Sequence, residues 1–425
     1  MACYKYENFD TQLRAVENDV HIYDVVHDGG DVVSRSAVFT AAEYSRRIRD
    51  VKKRMERAGF DLIICQDPAN MGWLTGYDGW SFYVPQCVLV HVDEERPIWF
   101  GRAQDEKSAL LTTGLPQGNV VPFSEYLVQN PEGHPFDELA ELVRARGWGK
   151  ARIGVEMDAH YYTARCHAHL VQGLPEASFS NNGDLVNWAR LIKSEPELAL
   201  MREAGAICSH AMERAISKMS PGVPQNEVIA ELYHAQIMGV GGLGGDYAAI
   251  CPLMPVGEGT ATPHLTWTED PLPQSGLAIL EIAGARRRYH AALTRTVHFG
   301  RPPQTYVDIA KAIVDGVDAG LEKARSGNTA EEVEAAWQAV LRSRGLKKES
   351  RVGYPIGLAY PPDWGERTVS LRPGDRTELQ PGMCFHMMAG VWLGDFGLAI
   401  SESFVVTDKG GEKLCTSPRK LIAVE

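Results

Sequence analysis

Tyr44, Ile48, Val51, Met55 and Ala58 recur at three- and four-residue intervals, which puts them on one face of a helix. Gly59 follows at the place of a left-handed C-cap. Residues 61–65 (Asp-Leu-Ile-Ile-Cys) then form a short apolar run that reads as a buried strand. Strict alternation is absent further on, yet residues 87–92 and 97–100 still read as strands, split by a polar turn at 93–96. A second helix at 136–146 leads to a strand at 151–156. Alternation of helix and strand predicts an α/β unit.

The pattern changes near residue 190. Ser194-Glu195-Pro196-Glu197 is a capping box with proline in the first turn, and Leu200, Ala204, Ile207, Ala211 and Ala215 line one helical face behind it. Helices fit residues 226–238, 307–325 and 329–344; strands fit 278–282, 294–299, 383–388 and 398–406. Strands segregated from helices predict an α+β architecture. The expected organisation is an N-terminal arm over residues 1–38, an α/β domain over 39–188 and a second domain over 189–425. Within the first, residues 67–83 are unusually aromatic, and a packed core strand and turn is their plain structural reading.

Composition narrows the function classes. The 425 residues are 44% hydrophobic and 23% charged, values of a folded globular protein with ample length for two cores. A formal net charge of −12 repels phosphate backbones and argues against nucleic-acid binding. Arg286-Arg287-Arg288 is too short for a basic patch and suits a hairpin tip. No apolar run is long enough to cross a bilayer, and residues 1–19 lack the apolar core of a signal peptide, so no membrane partner and a cytoplasmic location are expected. The eight cysteines are scattered without a C-x-x-C pair and read as small core residues rather than zinc ligands or a disulfide framework.

Two local motifs lose their function on inspection. Residues 239–244 match G-x-G-x-x-G, but a dinucleotide loop must follow a strand and open a helix, and this run follows a helical segment. His167-Ala168-His169 has no carboxylate or cysteine cluster to complete a metal site and reads as the surface of a helix.

The second half carries a more specific order of segments: 262–267 (Thr-Pro-His-Leu-Thr-Trp), 280–284 (Leu-Glu-Ile-Ala-Gly), 289–296 (Tyr-His-Ala-Ala-Leu-Thr-Arg-Thr), 353–358 (Gly-Tyr-Pro-Ile-Gly-Leu), 379–388 (Leu-Gln-Pro-Gly-Met-Cys-Phe-His-Met-Met) and 401–403 (Ser-Glu-Ser). Together they resemble the pita-bread superfamily of methionine aminopeptidase, prolidase, aminopeptidase P and creatinase, over residues from about 40 to the end. The resemblance implies a creatinase-type α/β domain followed by a pita-bread catalytic domain. It also implies that the five side chains which hold two metal ions in the metallopeptidases fall here at Glu281, Ala292, Tyr354, Met388 and Glu402. Alanine has no donor atom, and a thioether suits copper(I) rather than Mn²⁺, Co²⁺ or Zn²⁺. No metal and no cofactor are expected, the alternative being a single ion between Glu281 and Glu402. Met388-Ala389-Gly390 stands where the metallopeptidases carry Glu-Pro-Gly, and Ile400 where they often carry arginine two positions before the last ligand.

Without metal, His264 is the candidate acid–base group, and Glu281 and Glu402 remain as a carboxylate pair that favours a cationic or zwitterionic small substrate. Residues 67–83 and 354–368, taken with Glu281-Ile282-Ala283-Gly284, are similar to the bacterial ectoine hydrolase family across both domains. That resemblance implies opening of a cyclic amidine to an N-acetyl-2,4-diaminobutyrate. Glu281 would be the nucleophile, His264 would activate water and protonate the leaving nitrogen, and Glu402 would stabilise positive charge. Trp80, Phe82, Tyr83 or Trp364 would hold the amidinium by its face, and Arg367 or Tyr354 would meet the substrate carboxylate. 5-Hydroxyectoine stays open as substrate. So do a creatinase-like hydrolysis of a linear guanidino compound and a silent binding protein on the same scaffold. A homodimer is expected from the family.

Overall fold

The computed structural model describes residues 38–425; the expected arm lies outside them except for Val38. The first amphipathic run is α1 (Ala41–Ala58). Thr40 caps it by accepting from the Glu43 N–H, and Gly59 at φ 78° ends it. There follow β1 (Leu62–Cys65), α2 (Pro68–Thr75), β2 (Cys87–His91), β3 (Ile98–Arg102), α3 (Glu106–Thr112), β4 (Val120–Phe123), α4 (Pro135–Ala145), β5 (Arg152–Val155), α5 (Ala164–Gly173), β6 (Ser178–Asn181) and α6 (Leu185–Ala189). Their strands make one sheet in the order β4-β3-β2-β1-β5-β6. Central β1 is buried on both sides. Leu62 and Ile64 pack with Phe136, Leu139 and Leu170, while Ile63 and Cys65 pack with Ile48, Val51 and Met55. Two-sided burial is why this strand is continuously apolar rather than alternating.

The aromatic stretch departs from its strand-and-turn reading. Its first half is α2, capped by the Asp67 carboxylate on the Ala69 N–H, with Pro68 in the first turn and Gly76 at φ 85° closing it. The cap and the two breakers decide against extended chain. His167 and His169 do lie on a helix, α5. The glycine run at 239–244 is a turn closed by the Val240–Leu243 bridge.

Beyond residue 194 come α7 (Glu195–Lys218) and α8 (Gln225–Met238), then β7 (Gly276–Arg286), β8 (Tyr289–Phe299), α9 (Gln304–Lys323), α10 (Ala330–Ser343), β9 (Gly353–Tyr360), β10 (Asp363–Gly365), β11 (Cys384–Met387), β12 (Gly390–Trp392), β13 (Gly397–Ala399), β14 (Glu402–Val406), β15 (Gly411–Lys413) and β16 (Ile422–Val424). The Ser194 capping box forms as read. The main sheet runs β15-β14-β11-β9-β8-β16, with β7 on β8 and β10 on β9. β7 and β8 form a long antiparallel hairpin, and its turn places Arg287 and Arg288 at φ 48° and 67°.

Two helix pairs cover one face of this sheet. α7 lies so close on β7 that a Cβ on Gly284 would come within 2.2 Å of the Ala204 carbonyl oxygen. At the other end Ile313, Val317 and Trp337 of α9 and α10 pack on Phe385, Met387 and Phe404. Side chains directed away from the helices are left to form a site. Among the described residues no helix is long and apolar enough to cross a membrane.

Candidate functional site

Glu281 and Thr294 are cross-strand partners in the β7–β8 hairpin and therefore share a face. Glu281 is buried, 6% exposed. Burial pushes its carboxyl up to about 7, against the charge of Lys348 and a hydrogen bond from Thr294. Lys348 comes from the loop between α10 and β9. Its ammonium donates to the Met388 carbonyl at 2.9 Å and sits 4.8 Å from the centre of the Trp392 ring. Burial lowers its pKa to about 8, opposed by the Glu281 charge.

A chain of hydrogen bonds borders this carboxylate. The Ser401 hydroxyl accepts from the Thr294 N–H at 2.7 Å and meets His386 Nε2 at 2.7 Å. His386 Nδ1 meets the Tyr354 hydroxyl at 3.0 Å, which also accepts from Trp364 Nε1 at 3.0 Å. Burial, with the charges of Lys348 and Arg295, lowers His386 to about 3, so the ring is neutral and one nitrogen donates while the other accepts. If Ser401 donates to Nε2, Nδ1–H donates to Tyr354. The tyrosine oxygen then receives two hydrogens, and its own proton is free to point into the site. Burial and the Glu281 charge raise Tyr354, which keeps that proton on.

Glu402 does not join Glu281. Its cross-strand partner is Met387, whose methyl group borders Gly320 of α9, whereas Ser403 pairs with His386. Because successive residues of a strand alternate, Ser401 and Ser403 face Glu281 and Glu402 faces the helix layer. There its carboxylate lies 3.8 Å from Arg419 Nε, and burial pushes it up to about 7 against the fields of Arg295, Arg419 and Lys413. The expected carboxylate pair is thus corrected: a one-residue offset puts Ser401, not Glu402, at the last of the five motif positions on this face.

The other expected residues divide. Tyr354 borders Glu281, whereas Trp364 is fully buried and supports the Tyr354 hydroxyl. His264 lies in an exposed loop, and among the described residues its side chain has no partner. Its loop runs beside β7, since Leu253 pairs with Glu281 and the Met254 N–H donates to Leu265 O. Trp80 and Phe82 meet at a tilt, ring centres 4.6 Å apart, in a cluster with Tyr247, Tyr161 and Tyr360. Tyr83 is 62% exposed and meets Arg102 at the C-terminal end of β3. Arg367 is consumed by acids of the N-terminal half: Asp67 at 2.9 Å and Asp184 at 3.8 Å. It is therefore not a receptor for a substrate carboxylate.

Sequence reasoning missed Lys348, His386 and Ser401. His386 and Ser401 stood inside the quoted motifs, and their β-register signal was available. Lys348 sits in a charged run that reads as solvated loop.

The donor set does not fit a metal pair. Ala292 is a methyl group, Met388 offers only a thioether, 3.5 Å from the Thr294 hydroxyl oxygen, the Tyr354 and Ser401 oxygens are spent in the hydrogen-bond chain, and a lysine occupies the same face. Among the described residues no three His, Cys, Asp or Glu side chains form a cluster.

Two family descriptions match the chain: the creatinase/prolidase N-terminal domain over residues 47–192 and metallopeptidase family M24 over residues 199–408. An ectoine hydrolase of Halomonas elongata is 43% identical over 92% of this chain and 99% of its own length. An uncharacterised hydrolase/peptidase of Sinorhizobium fredii is 44% identical over 90% and 98%. The fold is shared with the prolidase of Thermococcus sibiricus, at TM-score 0.78 and 19% identity over 91% of this chain and 100% of that one. It is shared also with dipeptidase PepE of Mycobacterium ulcerans, at 0.76 and 22% over 91% and 99%. The chain is a hydrolase of the pita-bread superfamily and belongs within it to the family of ectoine hydrolase.

Proposed function

We propose that this protein opens the cyclic amidine of ectoine, or of 5-hydroxyectoine, without a metal ion. The observation that carries the reading is the solitary carboxylate of Glu281 on a face whose other motif positions hold Ala292, Tyr354, Met388 and Ser401. Such a face offers a nucleophile, a hydroxyl donor and an ammonium, but no set of metal ligands.

The amidinium supplies the positive charge that a buried carboxylate lacks, so substrate binding favours the ionised form of Glu281. A Glu281 carboxylate oxygen bonds to the amidinium carbon. One ring C–N bond then breaks, and its nitrogen leaves with a proton from His264. His264, now neutral, takes a proton from water as that water cleaves the adduct and regenerates the carboxylate. One water is added in total, and the product is an N-acetyl-2,4-diaminobutyrate. The Tyr354 hydroxyl donates to the nitrogen on which electron density develops, held in place by Trp364 and His386.

The test is product analysis by mass spectrometry with ectoine, 5-hydroxyectoine and creatine supplied separately. An acetylated diamine from either cyclic compound supports the reading. Urea from creatine, with the rings untouched, replaces it by a creatinase-type activity. No product from any of the three overturns it in favour of a binding protein.

A further inference from the structure

Resting on the amidine reading, we infer that Arg351 receives the carboxylate of the substrate, and so restricts the enzyme to amidines that carry an anionic group. Arg351 lies two residues before β9, and its guanidinium sits 4.7 Å from the centre of the Tyr354 ring. That ring carries the hydroxyl aimed into the site. Stacking on an aromatic face fixes the plane of a guanidinium and leaves its edge free for a bidentate acceptor.

Arg351 has no acid of its own. Its one hydrogen bond is from Nη1 to the Ser370 hydroxyl at 3.3 Å, and no carboxylate lies within ion-pair distance among the described residues. The acids nearby are engaged elsewhere. Glu349 pairs with Lys347 at 2.7 Å, and Asp375 accepts from the Ser370 and Thr377 N–H groups at 2.7 and 3.0 Å. The contrast with Arg367, held by Asp67, is direct. Arg351 is exposed, so an incoming ligand reaches it. It shares its loop with Lys348, whose ammonium lies on the Glu281 face. Anion receptor and nucleophile therefore both border Tyr354, an arrangement suited to a zwitterion with its carboxylate on Arg351 and its amidinium over Glu281.

The test compares ectoine with its primary carboxamide, which keeps the ring and loses the anion. KM and kcat for ectoine, and the inhibition constant of the amide against ectoine turnover, are measured for wild type, Arg351→Met and Arg351→Lys. Arg351→Met is expected to raise KM for ectoine roughly 30-fold, the scale of a lost charge-assisted pair. It should leave kcat and the inhibition constant of the amide within about threefold, and Arg351→Lys should recover part of the loss. Equal weakening of ectoine and amide, or no change in either, overturns the inference while leaving the amidine reading standing. Failure of the wild type to turn over both ectoine and 5-hydroxyectoine overturns both.

Discussion

Ser401 and Glu402 are neighbours in the chain and serve opposite faces of the same sheet. The Ser401 hydroxyl meets His386 Nε2 at 2.7 Å beside Glu281, while the Glu402 carboxylate lies 3.8 Å from Arg419 beneath the helices. Two variants separate these roles. Glu402→Gln should keep turnover within about fivefold and, because burial already raises that carboxyl to about 7 while Arg419 keeps its pair with Asp318, should flatten the fall in stability as pH rises through about 7. Ser401→Ala should instead lower kcat about 10- to 100-fold by releasing His386 and with it Tyr354, with a stability loss of roughly 1–3 kcal/mol for the unpaired buried nitrogen. Paired kinetics and thermal unfolding check this. A collapse of turnover in Glu402→Gln equal to that of a nucleophile variant would return Glu402 to the chemistry.

The pH dependence follows from Glu281. Its folded value of about 7 stands above the ordinary 4.5. As a nucleophile it must be ionised, so kcat/KM should rise with pH through about 7 in the free enzyme. The positive charge of Lys348 opposes the upward shift, so Lys348→Met should move this limb to higher pH. A limb that stays in place would mean that the two groups are not coupled. Stability runs the other way. A carboxyl whose folded value is raised holds its proton between roughly 4.5 and 7 only in the folded state, so its contribution is full below that window and is lost as pH rises through it. Glu281→Gln should remove about 3 kcal/mol of that slope from the unfolding free energy between pH 5 and 8.

His264 serves both half-reactions, as proton donor to the leaving nitrogen and as base toward water. His264→Ala should therefore lose turnover by about 10²–10⁴-fold without building up a ring-opened adduct on Glu281 when ectoine is added. Steady-state kinetics and intact-protein mass spectrometry check this. Normal turnover would remove His264 from the mechanism and leave Lys348 as the proton carrier on that face.

Arg367→Ala is expected to leave KM for ectoine unchanged. Its contacts with Asp67 and Asp184 are partly exposed, so their loss should lower stability by no more than about 1 kcal/mol. A large rise in KM would make Arg367 a substrate contact after all.

Much of this molecule was legible in its sequence where local physics decides. Gly59 closes α1 because only a left-handed residue makes that stop, and the Ser194 box starts α7 as read. Ala292 and Met388 announce the loss of ligands by their chemistry alone. What was not legible depends on register and on distant partners. The face of Glu402 is set by its pairing with Met387, and a one-residue offset in a strand exchanges both faces. The engagement of Arg367 depends on Asp67, 300 positions away. Lys348 is a site residue only because its loop folds over Met388. α2 departs from the strand reading because the aromatic residues that suit a strand lie after it, all but Trp73, while Asp67, Pro68 and Gly76 set the helix.

The central claim is that hydrolysis here needs Glu281 and no metal ion. It is tested most directly by measuring ectoine turnover in protein stripped with a strong chelator, with bound metal counted by elemental analysis in the same sample. The expected result is an unchanged kcat/KM at far less than one metal ion per chain, and no gain on adding Mn²⁺, Co²⁺ or Zn²⁺. Activity that vanishes with the chelator and returns in proportion to a bound divalent ion would contradict it.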